Sequence, residues 1–175
     1  MRARSIVASV SVVFASFGCS PLAPRATASP SGAAPRATAT RPRPSDVTAS
    51  VSSRVVKLAL RQVGAPYAWG GDQPSGFDCS GLVHYVYATV GVELPHNVAR
   101  QYRRGVSVTR DKLRPGDVVF FDGLRHNGIY IGEGRFVHAA VTPDAVVISR
   151  LDERWYASRW VGARRLLDAT PTVRR

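Results

Sequence analysis

Of the two cysteines in this chain of 175 residues, Cys79 stands in the run "GFDCSGLV" (76–83), between an acid and a hydroxyl. A thiol attacks a carbonyl carbon as the thiolate, and its ordinary pKa of roughly 8.5 leaves little of that form at neutral pH. Two devices lower it. The unpaired N–H groups and the dipole at a helix's first turn favour negative charge. A histidine within hydrogen-bond reach takes the proton and later returns it to a leaving amine.

Four histidines are available. His84, on the same expected helix as Cys79, points away from its first turn and reads as a surface or packing residue. His96 follows Pro95 in a loop and is placed to line a cleft. His126 stands at the entrance of the apolar run "GIYIG", and His138 lies inside the next one, "FVHAA". Inside a strand, His138 is either a satisfied core imidazole or part of a site. On adjoining hairpin strands the two make chemical sense as a general base and the residue that orients it. An unbulged two-residue turn sends them to opposite faces, so the hairpin must carry an odd loop or a bulge, which Gly132-Glu133-Gly134 permits.

The elements that must position these groups are helices first and strands after. The spacing of Val55, Leu58, Ala59 and Gln62 predicts a first helix closed by Gly64. "APYAWGGDQPSG" holds too much Pro and Gly for a regular element and reads as a loop delivered to the next helix. In that helix Leu82, Val83, Val86 and Val90 share one face, Asp78 caps the start and Gly91 closes the end, so Cys79 falls in the first turn. A third short helix is expected from Asn97, its cap, to Arg104, with Gly105 as the stop. "VVFF", "NGIYIG", "EGRFVHAA", "AVVISR" and "RWVGARRLL" then read as short strands with turn residues between them. Helices followed by an antiparallel sheet make an α+β fold.

Arg2 and Arg4 precede an uncharged, apolar run from Ser5 to Gly18, the layout of an export signal (1–18), and Cys19 follows directly. The run is shorter than the ~20 apolar residues of a membrane-spanning helix. From Cys19 to Ser50 the chain is Pro, Ala, Ser, Thr and Arg with almost nothing large and apolar, the composition of a disordered tether. One folded domain is expected over 51–170 and a disordered tail over 171–175. The formal charge of +12 falls partly on the N-terminal arginines, and the rest of the chain stays basic. A basic domain attracts anionic partners, and export excludes nucleic acid among them. With Cys19 modified or removed, Cys79 has no disulfide partner, and a lone thiol in an oxidising compartment is a liability unless its reactivity is used.

"PYAWGG", "FDCSGLV", "LRPGDVVFF" and "HNGIYIGEGRFVHA", in that order, resemble the NlpC family of bacterial cell-wall cysteine peptidases over about Val55 to Leu167. The resemblance implies a papain-like fold with N-terminal helices packed on an antiparallel β-sheet. It implies hydrolysis of peptide bonds in peptidoglycan stem peptides or cross-links, with no metal or cofactor. Cys79 is then the nucleophile, His126 the base and His138 the third residue. Tyr67 is the tyrosine that supports the oxyanion with the Cys79 N–H, and Ser80 and Gly81 are small enough for a peptide backbone to approach. Of the candidate bonds, the cross-link from D-alanine to diaminopimelate is favoured over the D-glutamate to diaminopimelate bond. Gly18 before Cys19 resembles the lipobox of bacterial lipoproteins, with Ser16 and Phe17 as departures. That implies a chain anchored to the membrane of the cell envelope by lipid on Cys19, with cleavage at a later small-residue site as the competing reading; a monomer is expected. Asn127 stands where the family usually has Val or Ile, and His96 where relatives commonly carry Arg. A wall amidase or acyl transferase of related fold, and a module that binds wall peptides without cutting them, are the alternatives.

Overall fold

The computed structural model describes residues 43–167, so the expected export signal, Cys19, most of the expected tether and the C-terminal tail lie outside the described residues. Helix α1 (Pro44–Arg61) starts earlier than its apolar spacing predicts and corrects the tether boundary expected at residue 50. Local chemistry explains the extension. Pro44 opens the helix where no intrahelical N–H bond is needed, and the Asp46 carboxylate accepts the Arg43 backbone N–H at 3.3 Å. The apolar face begins only at Val55 and Ala59, both fully buried, which is why periodicity finds the second half alone.

The loop after α1 is pinned rather than free. Gly64 N–H donates to Val146 O at 2.9 Å and Tyr67 N–H to Asp144 O at 3.1 Å, tying the chain to the far edge of the sheet. Two short antiparallel pieces, β1 (Asp72–Gln73) and β2 (Gly76–Phe77), fold the rest of the loop back on itself. Helix α2 (Cys79–Thr89) then runs through the core with Leu82, Val83, Val86 and Tyr87 fully buried. As expected, Asp78 caps it and Asn97 caps α3 (Val98–Tyr102), accepting the Arg100 N–H at 3.0 Å.

Six strands form one antiparallel sheet: β3 (Val106–Val108), β4 (Val118–Phe121), β5 (His126–Gly132), β6 (Arg135–Ala140), β7 (Ala145–Arg150) and β8 (Trp160–Arg165), in the order β3-β8-β4-β5-β6-β7. Side chains alternate between its faces. Val118, Phe120, Ile129, Val137 and Val146 pack against α1 and α2, while Val119, Phe121, Phe136 and Ala163 form a second cluster closed by Tyr156 and Trp160. Tyr156 comes from a short helix, α4 (Arg154–Ser158), that lies between β7 and β8. The α+β architecture with helices on an antiparallel sheet is thus the expected one. No helix among the described residues is long and apolar enough to cross a membrane.

Candidate active site

The start of α2 is held by one carboxylate. Asp78 Oδ1 accepts the Gly81 N–H at 2.7 Å and the Ser80 hydroxyl at 2.9 Å, and Oδ2 accepts the Gly70 N–H at 3.1 Å. His96 Nε2 lies 2.9 and 3.0 Å from the two oxygens. Burial works to raise the Asp78 carboxyl, but the bonds from Gly81, His96 and Ser80 outweigh it and hold the group below its ordinary range. Gly81 makes room for the loop rather than for substrate: a Cβ there would lie 1.9 Å from Gly71 O. The Ser80 hydroxyl donates to Asp78, and the residue lines the cleft beside Cys79.

His126 opens β5 at the end of the sheet, where the N-terminus of α2 arrives. The Cys79 thiol donates to the Arg125 carbonyl at 3.8 Å. The β5–β6 hairpin carries the irregularity that the two histidines require. Ile129 pairs with Val137 and Tyr130 with Phe136, but Gly132 pairs with Arg135, leaving Ile131 as the extra residue. That bulge restores parity, so His126 and His138 project from the same face, and His126 Nε2 lies 3.0 Å from His138 Nδ1. Gly128 permits the approach, since a Cβ there would sit 2.7 Å from Val137 O and 3.0 Å from His138 Cβ.

Beyond His138 the chain of polar contacts continues. Its Nε2 lies 3.1 Å from Ser149 Oγ and 3.1 Å from the Tyr156 hydroxyl. The rings of Phe121, Phe136, Trp155 and Tyr156 surround the two imidazoles. Removal from water therefore disfavours their charged forms: burial pushes His126 down to about 4, and burial together with His126 pushes His138 down to about 3. Burial, followed by the Asp78 charge, also pushes the Cys79 thiol up to about 11, against backbone N–H groups of Asn127, Ser80 and Cys79 itself that draw it back. Burial therefore acts against the lowering of the thiol that a helix's first turn and a nearby histidine lead one to expect.

Cys79 and His126 face a cleft of about 680 Å³. Tyr67 lines it, with a phenol that burial, then the Cys79 and Asp78 charges, keep protonated and able to donate. Trp69, 90% exposed, and Val141, 68% exposed, form an apolar rim. His96 lines the cleft as expected, while His84 is a packing residue bonded to Leu94 O at 2.6 Å. Asn127 is fully buried and donates to Gln101 Oε1 at 2.6 Å, and Gln101 Nε2 in turn donates to Ser80 O and Pro95 O. Its departure from the family pattern is therefore a matter of packing that ties β5 to α2 and α3. Gln101, Ser149 and Tyr156 escape sequence reasoning because no local motif marks them. Among the described residues no group of three or more His, Cys, Asp or Glu side chains is placed to hold a metal ion.

Residues 64–165 match the NlpC/P60 family. The chain is 42% identical over 123 residues to gamma-DL-glutamyl hydrolase of Bacillus subtilis, a stretch covering 66% of this chain and 30% of that protein. It is 38% identical over 117 residues to murein DD-endopeptidase MepH of Escherichia coli, covering 62% of this chain and 43% of the relative. The chain thus spans less than half the length of these curated relatives. Among solved structures, the peptidoglycan hydrolase RipB of Mycobacterium tuberculosis superposes with a TM-score of 0.63 at 29% identity, covering 72% of this chain and 68% of that one. With a matching family model over more than half its length and the expected fold around Cys79, the chain belongs to the NlpC/P60 family.

Proposed function

We propose that this domain is a peptidoglycan hydrolase, a cysteine endopeptidase that cuts peptide bonds of murein through an acyl-enzyme on Cys79. The observation that carries the reading is the convergence, at one end of the sheet, of a thiol in a helix's first turn with a histidine bonded at 3.0 Å to a second, buried one. A module that only holds wall peptides has no use for that pair. With the His126 proton on Nε2 and donated to His138, Nδ1 is the ring's free base. It takes the thiol proton as sulfur bonds to the substrate carbonyl carbon. The tetrahedral oxyanion is met by the Cys79 N–H and the Tyr67 hydroxyl. Collapse breaks the C–N bond, the departing amine takes the proton from His126, and a thioester remains on Cys79. His126 then removes a proton from water, whose oxygen bonds to the thioester carbon as the C–S bond breaks; the departing sulfur takes that proton from His126, and the acid is released.

Two bonds are in view. The cross-link from D-alanine to diaminopimelate is the first assignment, supported by the likeness to a murein DD-endopeptidase. The bond from D-glutamate to diaminopimelate is the second, favoured by the likeness to a gamma-DL-glutamyl hydrolase. Digestion of purified cross-linked muropeptides, read by mass, decides. Dimers resolved into intact monomers give the first bond, and stems shortened after D-glutamate give the second. Whole stems released from sugar indicate an amidase, and unchanged muropeptides reject hydrolysis. We also propose that the domain works in the cell envelope, tethered through lipid on Cys19; Arg2, Arg4, the apolar run and Gly18 support this. Intact-mass analysis of protein from the native envelope tests it: a diacylated Cys19 at the N-terminus supports the anchor, and an unlipidated N-terminus beyond it rejects it.

A further inference from the structure

Cys79, His126 and His96 reach the cleft from three separate elements: α2, β5 and the loop before α3. One buried side chain touches the immediate neighbour of each. Gln101 of α3 is fully buried; its Nε2 donates to Ser80 O at 2.9 Å and to Pro95 O at 2.8 Å, while its Oε1 accepts from Asn127 Nδ2 at 2.6 Å. Ser80 follows Cys79, Asn127 follows His126, and Pro95 precedes His96.

The direction of these bonds is fixed by the partners. Ser80 O and Pro95 O are carbonyls that only accept, so the edge of the Gln101 amide that faces both must be its NH2 group. The amide oxygen is then turned to Asn127, which has to donate. In agreement, Asn127 Oδ1 has no partner among the described residues, and an acceptor is the cheaper group to leave unfilled in the interior. Flipping either amide sets oxygen against oxygen. The helix that carries Gln101 is itself anchored to the sheet: the Tyr102 ring meets Phe120 of β4 edge-on with centroids 5.0 Å apart, and the Arg164 guanidinium of β8 lies 4.3 Å over the same ring.

We infer that Gln101 is a positioning residue: its amide clamps the residue beside the nucleophile to the residue beside the base, and so fixes how Cys79 approaches His126. Fully buried, it touches neither substrate nor the reacting atoms. The Asn127 backbone N–H, one of the groups that draw the thiol down against burial, is held by the same link. Without the amide, Ser80 O and Pro95 O each lose a donor and Asn127 Nδ2 loses its acceptor. The start of α2 can then shift against β5 by several tenths of an ångström, enough for about tenfold in rate.

The inference rests on the Cys79–His126 reading, and its first readout needs no wall substrate. Iodoacetamide labelling of Cys79 in the full chain is compared among Gln101→Met, which keeps the length and removes the amide, Asn127→Val, the double variant, and Val86→Ala as a destabilised control. Loosened packing alone exposes a half-buried thiol and speeds labelling, whereas a displaced thiol slows it. Gln101→Met should lower the melting temperature and slow labelling about tenfold, while Val86→Ala should lower the melting temperature without slowing it. The double variant holds no buried Asn127 NH2 in search of an acceptor, so it should regain part of the lost melting temperature yet label no faster than Gln101→Met. In muropeptide cleavage kcat should fall about tenfold with KM unchanged. Should the Gln101 variants not fold, Asn127→Val decides on the same readouts, with labelling and kcat down about threefold. Labelling or kcat at the unsubstituted rate overturns the inference, as does faster labelling, or a rate that returns together with stability in the double variant. Slowed labelling in a protein whose unsubstituted form cuts no muropeptide would count against the substrate reading and leave this one standing.

Discussion

Gly128→Ala is the smallest change that should separate the two histidines. The added Cβ would stand 2.7 Å from Val137 O, 2.7 Å from Phe136 Cδ2 and 3.0 Å from His138 Cβ. Val137 O belongs to the backbone of the neighbouring strand and cannot rotate away, and Phe136 and His138 are both buried. The strands must therefore part by several tenths of an ångström, an overpacking cost of about 1–3 kcal/mol. For a domain of this size that lowers the melting temperature by roughly 4 °C per kcal/mol. The larger effect falls on the chemistry, because the same displacement stretches the 3.0 Å bond from His126 to His138. Misplacement on the order of 1 Å costs about a hundredfold in rate, so a shift of several tenths should lower kcat about tenfold. The assay is steady-state muropeptide cleavage well below the melting point, alongside Val86→Ala, which removes buried methyls from α2 and destabilises without adding an atom between the hairpin strands. Val86→Ala should lose stability and keep kcat. A Gly128→Ala variant that melts and cuts like the unsubstituted protein would refute the reasoning.

Because burial pushes His126 down to about 4 and Cys79 up to about 11, kcat/KM should hold level across neutral pH and fall on the acid side only near pH 4, as His126 gains a proton and stops acting as a base. An acid limb near the ordinary histidine value of about 6.5 would show that the ring is not desolvated in solution. Stability should follow a different course: the folded pKa of His138 is depressed to about 3, so the unfolded chain binds the extra proton first and the thermal midpoint should decline as pH falls from about 6.5 toward 3. A midpoint that rises over that window would contradict the burial of a neutral ring. Trp69→Ala removes an exposed ring from the cleft rim and should raise KM about tenfold, or about 1.4 kcal/mol, with kcat little changed; an unchanged KM would mean that the substrate passes it by.

The helix bearing Cys79 is legible in sequence because each of its signals is local: Asp78 at the cap, the apolar spacing from Leu82 to Val86, and Gly91 at the end. The long strands are legible for the same reason, and even the bulge follows from parity once His126 and His138 are asked to share a face. The first turns of α1 carry no apolar stripe, only a proline and an acid, so periodicity passes over them. Strand β3, the two-residue pair β1–β2 and helix α4 are too short to show a period. Ser149 and Tyr156 meet His138 across 11 and 18 residues of sequence, and only the β7 register and the α4 turn bring them there. Gln101 meets Asn127 across 26 residues in the same way. The thiol is the instructive failure. A helix's first turn and a nearby histidine argue for a lowered pKa, but burial acts in the opposite direction and is a property of the packed fold, not of any motif.

The central claim is that the sulfur of Cys79 bonds to a murein carbonyl carbon. Intact-mass analysis after acid quench during turnover of cross-linked muropeptides tests it most directly, with Cys79→Ser beside the unsubstituted protein. The account predicts a transient mass gain equal to the acyl portion of the substrate, mapped to Cys79, and neither adduct nor cleavage in the folded Cys79→Ser variant. A Cys79→Ser protein that cleaves the same bond at an undiminished rate would contradict it.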